Sequence, residues 1–243
     1  AVFRVLSKMS NKKLPQLANY VCGHSLGEYT AMTVAGVFSL SECANLLRLR
    51  GKEMQIAVPL NKGAMAALIG VDIITTKKII DNVVSFGVCN IANDNADGQV
   101  VISGDKLAVE KAIEISKEFG VKRSVVLPVS APFHCSLMYP AQIKMEQALN
   151  DLNFDTPSVP IISNINALPE KNVTILKQNL IDQVTGTVKW RETMILADTL
   201  GVKVILELGN GKILTGIAKR MVKKANTLNI EKPSDFDGLL KII

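Results

Sequence analysis

Apolar residues in this chain switch between helical and extended spacing, and the switches mark out its elements. Val2, Val5 and Leu6 have the spacing of a helix tail over 1–8. The apolar residues over 18–24 predict a strand, and 25–35 predict a helix. Ser41 is expected to cap a second helix, with Cys43, Leu46, Leu47 and Leu49 on its apolar side. Arg48 and Arg50 lie along that helix, which reaches Gly51 or beyond. After Pro59 the texture changes. A run of small apolar residues over 63–70 predicts a strand, 72–84 a helix, and 88–92 and 99–103 two strands flanking a polar turn at 93–98. A helix over 107–119 and a strand over 122–129 follow. Beyond residue 132 the pattern returns to longer units: helices over 141–149, 174–184 and 192–200, and strands over 159–164 and 202–208. A Gly-x-Gly turn and another helix come last.

The middle segment has the order strand, helix, strand, strand, helix, strand, which is ferredoxin-like. Residues 59–131 are therefore expected to form a small α+β subdomain of roughly 70 residues, within the usual domain range. Residues 1–58 and 132–243 are read together as one discontinuous α/β core.

Composition narrows the function classes. Of the 243 residues, 48% are hydrophobic and 21% charged, ordinary for a globular protein. The longest apolar runs fall far short of a membrane span, and the opening residues lack a signal-peptide layout, so a cytoplasmic or organelle-matrix location is expected. Cys22, Cys43, Cys89 and Cys135 are widely separated, which argues against a disulfide framework or a zinc site. With His24 and His134 as the only histidines, a multi-histidine metal centre is excluded. The net charge of +6 favours acidic partners. The basic residues nevertheless come in scattered pairs such as Lys77-Lys78 and Lys219-Arg220, without the clustering that nucleic acid requires.

Candidate chemistry centres on Gly23-His24-Ser25-Leu26-Gly27. By chance a Gly-x-Ser-x-Gly pattern would occur in a chain of this length with a probability of roughly 0.1, so context must carry it. Two readings compete. Ser25-Leu26-Gly27-Glu28 fits a Ser-x-x-Glu capping box. The same residues, between a strand and a helix, fit a nucleophile elbow in which Gly23 and Gly27 give clearance. A nucleophilic serine needs a base. His24 adjoins Ser25 and its side chain should point away. His134, after the strand over 122–129, is the remaining partner. Asp72, Asp94, Asp97 and Asp105 lie between Ser25 and His134, but none occupies an obvious strand-end position for a third member. The residues point to a Ser25–His134 dyad.

Four ordered segments carry a resemblance: Gly23-His24-Ser25-Leu26-Gly27-Glu28-Tyr29, Arg48-Leu49-Arg50-Gly51-Lys52-Glu53-Met54-Gln55, Pro128-Val129-Ser130-Ala131-Pro132-Phe133-His134 and Glu207-Leu208-Gly209-Asn210-Gly211-Lys212-Ile213-Leu214. Together they resemble the malonyl-CoA:acyl carrier protein transacylase family, to which acyltransferase domains of polyketide synthases are related. The likeness runs to about residue 225. It implies an α/β-hydrolase-like core with a parallel sheet, and ping-pong transfer of malonyl from coenzyme A to the phosphopantetheine thiol of an acyl carrier protein in fatty acid biosynthesis. It implies no metal or redox cofactor, and a monomer. Ser25 would carry the malonyl ester and His134 would shuttle the proton. The backbone carbonyl of Gln183 would orient His134, and the Leu26 N–H would be an oxyanion donor. Arg50 would bind the malonyl carboxylate, a role for which a planar guanidinium is suited. Asn93 and Asn95 would line the entrance. Lys122 and Arg123, beside the loop that bears His134, are expected to dock the acidic carrier.

Departures from the family pattern set further expectations. Asn210 and Thr187 stand where the family tends to have proline, and local loosening is expected at both. The family also places several dozen more residues ahead of the elbow, including its second oxyanion donor, so the chain is expected to be N-terminally truncated and a poor catalyst. A serine thioesterase or esterase, and a non-catalytic carrier-binding remnant, are the alternatives. Arg50 and the missing triad acid count against the first.

Overall fold

The computed structural model describes residues 1–240. Helix α1 (Val2–Ser10) and a short α2 (Leu14–Leu17) lead into β1 (Val21–Cys22), α3 (Leu26–Ala35) and α4 (Leu40–Ile56). The strand expected over 18–24 contains only two paired residues. The cap of α4 is Ser39 rather than Ser41. Ser39 Oγ accepts from the Glu42 N–H at 3.2 Å while Glu42 Oε2 accepts from the Ser39 N–H at 2.7 Å, a reciprocal capping box. Ser41 is already inside the helix and exposed.

The middle segment comprises β2 (Gly63–Ile69), α5 (Ile73–Asp81), β3 (Cys89–Ala96), β4 (Gln99–Asp105), α6 (Lys106–Ser116) and β5 (Arg123–Val126). Its four strands form an antiparallel sheet in the order β3-β4-β2-β5. Leu68, Ile79, Ile102 and Val109 pack between this sheet and its two helices. The polar turn expected at 93–98 shrinks to its last residues, because β3 continues through Asn93, Asp94 and Asn95. Tertiary partners hold those polar residues in the strand. Asp94 N–H donates to the Val188 carbonyl and Val188 N–H to the Ala92 carbonyl, both at 2.9 Å. The Asp94 carboxylate accepts from Arg191 Nε at 2.9 and 3.0 Å. At this junction the Thr187 hydroxyl donates to the Ile91 carbonyl at 2.6 Å.

The rest of the chain forms α7 (Tyr139–Asn150), β6 (Ile161–Ile162), β7 (Pro169–Glu170), α8 (Val173–Gln183), α9 (Trp190–Thr199), β8 (Val204–Leu208), α10 (Ile213–Met221), β9 (Asn226–Ile230) and α11 (Phe236–Leu239). Parallel pairing is present, but in two places: β1 runs parallel to β6 in a three-stranded sheet completed by antiparallel β7, and β8 runs parallel to β9 in a separate pair. The largest apolar cluster joins α3, α4, α7, α8 and β6 through Tyr29, Met32, Leu46, Met54, Met145, Leu149, Ile161 and Leu180. The faces turned into this cluster bring residues 28, 50 and 183 towards one another. Among the described residues no helix is long and apolar enough to cross a membrane.

The capping assignment has a direct check. Ser39→Ala should cost about 1 kcal/mol, whereas Ser41→Ala should stay within about 0.5 kcal/mol of wild type. Urea unfolding midpoints of the two variants read the difference.

Candidate active site

β1 brings the chain to a reversal at Ser25, and α3 starts at the next residue. A Cβ added at Gly23 would lie 2.0 Å from the Gly27 carbonyl carbon, so glycine is required for this approach. Gly27 was expected to give the same clearance, but a Cβ there would meet nothing within 4 Å. Ser25 has φ 49° and ψ −105°, a conformation that costs a non-glycine residue about 1–3 kcal/mol. Asn164, just beyond β6, holds it there. Its Oδ1 accepts from the Ser25 N–H and its Nδ2 donates to the Gly23 carbonyl, both at 2.7 Å. The Ser25 hydroxyl makes no capping bond to α3, so the capping-box reading fails.

The hydroxyl is instead committed to two other groups. Ser25 Oγ lies 2.8 Å from His134 Nε2, and Arg50 Nη2 donates to it at 2.9 Å. His134 Nδ1 lies 2.9 Å from the Gln183 backbone carbonyl. A carbonyl only accepts, so Nδ1 carries the proton and the Nε2 lone pair faces Ser25. Arg50 supplies a donor to Oγ, which directs the hydroxyl's own proton towards Nε2. The Gln183 side chain closes the circuit. Its Oε1 accepts from Arg50 Nη2 at 3.1 Å, and its Nε2 donates to Glu28 Oε2 at 2.7 Å and to the Ser25 carbonyl at 3.0 Å.

Burial sets the protonation states. His134 is pulled down to about 3, first by desolvation and then by the nearby Arg50 charge, against the hydrogen bond to Gln183. It is therefore a neutral imidazole at neutral pH, able to accept a proton. Burial raises Glu28 to about 7, opposed by hydrogen bonds from Gln183 and Asn164 and by the Arg50 charge. Burial also pulls the Arg50 guanidinium below its ordinary value.

The other candidates are distributed around this centre. The His24 ring turns away from Ser25 to Asn95 Oδ1, 2.8 Å from its Nε2, and to the Trp190 ring, 5.4 Å away between centroids. Asn95 is thus tied to the elbow, while Asn93 is buried in β3 beside Val188. Among the described residues the Leu26 N–H, at the first position of α3, has no backbone acceptor. Lys122 and Arg123 are exposed where β5 begins. No three His, Cys, Asp or Glu side chains among the described residues come together as a metal-ligand set.

Sequence reasoning did not single out Asn164 or the Gln183 side chain, and it considered Glu28 only as a capping partner. A signal existed for some of this. Glu28 shares the buried face of α3 with Met32 and Ala35, and Arg50 that of α4 with Cys43, Leu46 and Met54. A charged residue at a core-facing helical position is expensive unless it is paired, and so marks a built site.

A profile of the acyl transferase domain family matches residues 16–232. The chain is 38% identical over 242 residues to the malonyl CoA-acyl carrier protein transacylase of Escherichia coli (strain K12), covering 100% of this chain and 77% of that one. Its counterpart in Bacillus subtilis (strain 168) is 37% identical, covering 90% and 69%. The crystal structure of acyl-carrier-protein-S-malonyltransferase from Bartonella henselae superposes with a TM-score of 0.95 at 44% identity, covering 99% of this chain and 76% of that one. A malonyl-transacylase solved in complex with its holo type II PKS acyl-carrier protein gives 0.94 at 35% identity, covering 100% and 77%.

His134 and Glu28 should pull the pH dependence of stability in opposite directions. His134 is lowered on folding from 6.5 to about 3, so its contribution is complete above pH 6.5 and is lost as pH falls towards 3. Glu28 is raised from 4.5 to about 7, so its contribution is complete below pH 4.5 and is lost as pH rises towards 7. Between those reference values the two slopes, about 1.4 kcal/mol per pH unit per proton, oppose each other. In denaturant titrations across that window, His134→Asn should lose stability as pH rises and Glu28→Gln should gain it. Two variants with the same slope would contradict these assignments.

Proposed function

Since the chain belongs to the acyl transferase domain family, we propose that it moves a malonyl group from coenzyme A to the phosphopantetheine thiol of an acyl carrier protein, as an S-malonyltransferase serving fatty acid biosynthesis. The observation that carries this reading is the Arg50 guanidinium within hydrogen-bond distance of Ser25 Oγ. In a malonyl thioester, one methylene separates the free carboxylate from the reacting carbonyl. A cation beside the nucleophile therefore matches the substrate's own spacing. Arg50 Nη1 makes no hydrogen bond among the described residues and is left for that carboxylate, which a guanidinium can bind through two parallel bonds.

In this reading Ser25 Oγ attacks the thioester carbonyl as its proton passes to His134 Nε2. The carbon–sulfur bond breaks, the coenzyme A thiolate takes the proton from His134, and malonyl remains as an ester on Ser25. The carrier thiol then reverses the sequence, giving its proton to His134 and taking the acyl group while Ser25 Oγ is reprotonated. The Gln183 carbonyl orients the imidazole in place of a triad acid. The Leu26 N–H faces the developing oxyanion, and Asn93 and Asn95 line the approach. The chemistry so read draws on proton transfer and ion pairing and calls for no metal or redox group. Lys122 and Arg123 give an acidic carrier an exposed basic edge at β5.

The same reading takes 59–131 as a ferredoxin-like subdomain, supported by its strand–helix order and antiparallel sheet. It takes 1–58 with 132–243 as an α/β-hydrolase-like core, supported by the strand–Ser25–helix elbow.

Two measurements test the function. Intact mass after incubation with malonyl-CoA should show a malonyl adduct on the wild-type chain and none on Ser25→Ala; an adduct on the alanine variant would remove Ser25 from its role. Arg50→Ala should lose about 3–5 kcal/mol of malonyl-transfer specificity and gain acetyl transfer relative to malonyl. Equal losses with malonyl-CoA and acetyl-CoA would make Arg50 a structural residue.

A further inference from the structure

One ionisable side chain in the centre has no part in the transfer steps. Glu28 is fully buried in the first turn of α3. Its Oε2 accepts from Gln183 Nε2 at 2.7 Å and from the Asn164 backbone N–H at 3.2 Å. We propose that Glu28 is a positioning residue for acyl selectivity: its Oε2, accepting from Gln183, fixes which way the Gln183 amide faces, and thereby holds Arg50 in the orientation that receives the substrate's carboxylate. The proposal rests on the malonyl-transfer reading of the site.

The two ends of a glutamine amide have nearly the same shape and opposite hydrogen-bonding character. Its neighbours decide which end points where. Arg50 has only donors, and Glu28 presents Oε2 as an acceptor whether the group is ionised or carries a proton on its other oxygen. With Gln183 between them, Oε1 must face Arg50 and Nε2 must face Glu28. The reversed amide would set donor against donor and acceptor against acceptor in a buried site, where unmade hydrogen bonds are costly. The second arm of Glu28 passes through Asn164, whose side chain holds the Ser25 N–H and the Gly23 carbonyl. One carboxylate thus sets the cation through Gln183 and steadies the nucleophile's backbone through Asn164. The interposed amide also matters electrostatically. A carboxylate placed directly on Arg50 would compete with the substrate for the guanidinium, whereas one held behind Gln183 offsets its charge and leaves Nη1 available.

The test compares Glu28→Gln with Glu28→Asp in the full chain at matched folded fraction. The introduced glutamine can donate from its amide, so the Gln183 amide is free to reverse; the introduced aspartate still presents an accepting oxygen. Glu28→Gln should lower the malonyl-to-acetyl ratio of kcat/KM at least tenfold, chiefly through the KM for malonyl-CoA. Glu28→Asp should lose rate yet keep the ratio within about threefold of wild type. An unchanged ratio in Glu28→Gln, or equal changes in both variants, would overturn the proposal. Labelling of Ser25 by an uncharged fluorophosphonate separates the two readings. If the wild-type chain is labelled but transfers no malonyl, the functional reading fails. Glu28→Gln should be labelled within about threefold of the wild-type rate while its ratio falls; labelling slowed as much as malonyl transfer would show a general loss of the site, and the selectivity role of Glu28 fails independently. Should Glu28→Gln not fold, Gln183→Met removes the amide and keeps the backbone carbonyl under His134. It should show the same loss of ratio, and a wild-type ratio there would overturn the proposal.

Discussion

Everything in the centre depends on the chain turning at Ser25 with a positive φ. A serine has no intrinsic reason to sit there, and the strain is of the order of 1–3 kcal/mol. It persists because the contacts around it permit no other path. Gly23 lies against the carbonyl of Gly27, Asn164 clamps the backbone on both sides of the turn, and the Gln183 amide ties down the Ser25 carbonyl. The hydroxyl is then freed from capping α3 and directed at His134 and Arg50. His134 has a positive φ of its own, 60°, so Ser25 and His134 are both held by unusual backbone rather than by side-chain preference.

A second constraint is the exclusion of water. Burial alone would make a charged imidazole unfavourable, and the adjacent guanidinium makes it more so. A carbonyl under Nδ1 therefore suffices to fix the tautomer, a task that a triad gives to a carboxylate. The carboxyl of the site, Glu28, stands one amide away from the cation. Separating these jobs among Gln183, Glu28 and Arg50 keeps the imidazole neutral and the guanidinium available together, which a directly paired acid could not do.

The two structural parts meet through β3. Its polar half pairs with the segment that follows Gln183, through Asp94 and Val188, and the Arg191–Asp94 ion pair locks the junction. Asn95 at the same place engages His24 of the elbow. The four-stranded sheet is thereby attached at the Ser25 turn itself, and the chain beyond β5 carries His134 across to it.

Local chemistry in the sequence determined a good deal. Apolar spacing over 63–70, 72–84 and 107–119 located most of the small subdomain, because each element there buries one regular face. Gly23, Ser25 and the scarcity of histidine led to the Ser25–His134 pair. Where neighbours close in sequence dominate, as in α3 and α4, the pattern was sufficient to within a few residues; even the error at the α4 cap, Ser41 for Ser39, came from choosing between two good capping residues. Tertiary structure alone decided the rest. Asn93, Asp94 and Asn95 read as a turn because nothing local favours a polar strand; Val188 and Arg191, far along the chain, and His24 from the elbow place them in β3. Arg50 shares the apolar face of α4, but only the tertiary packing brings Gln183 of α8 to its guanidinium. The Asn164 clamp, the partners of the Ser25 hydroxyl and the partner of the Glu28 carboxylate have the same origin. Each spans more than a hundred residues of sequence, and a hydrogen bond between such distant groups leaves no period or spacing in the chain from which it could be read.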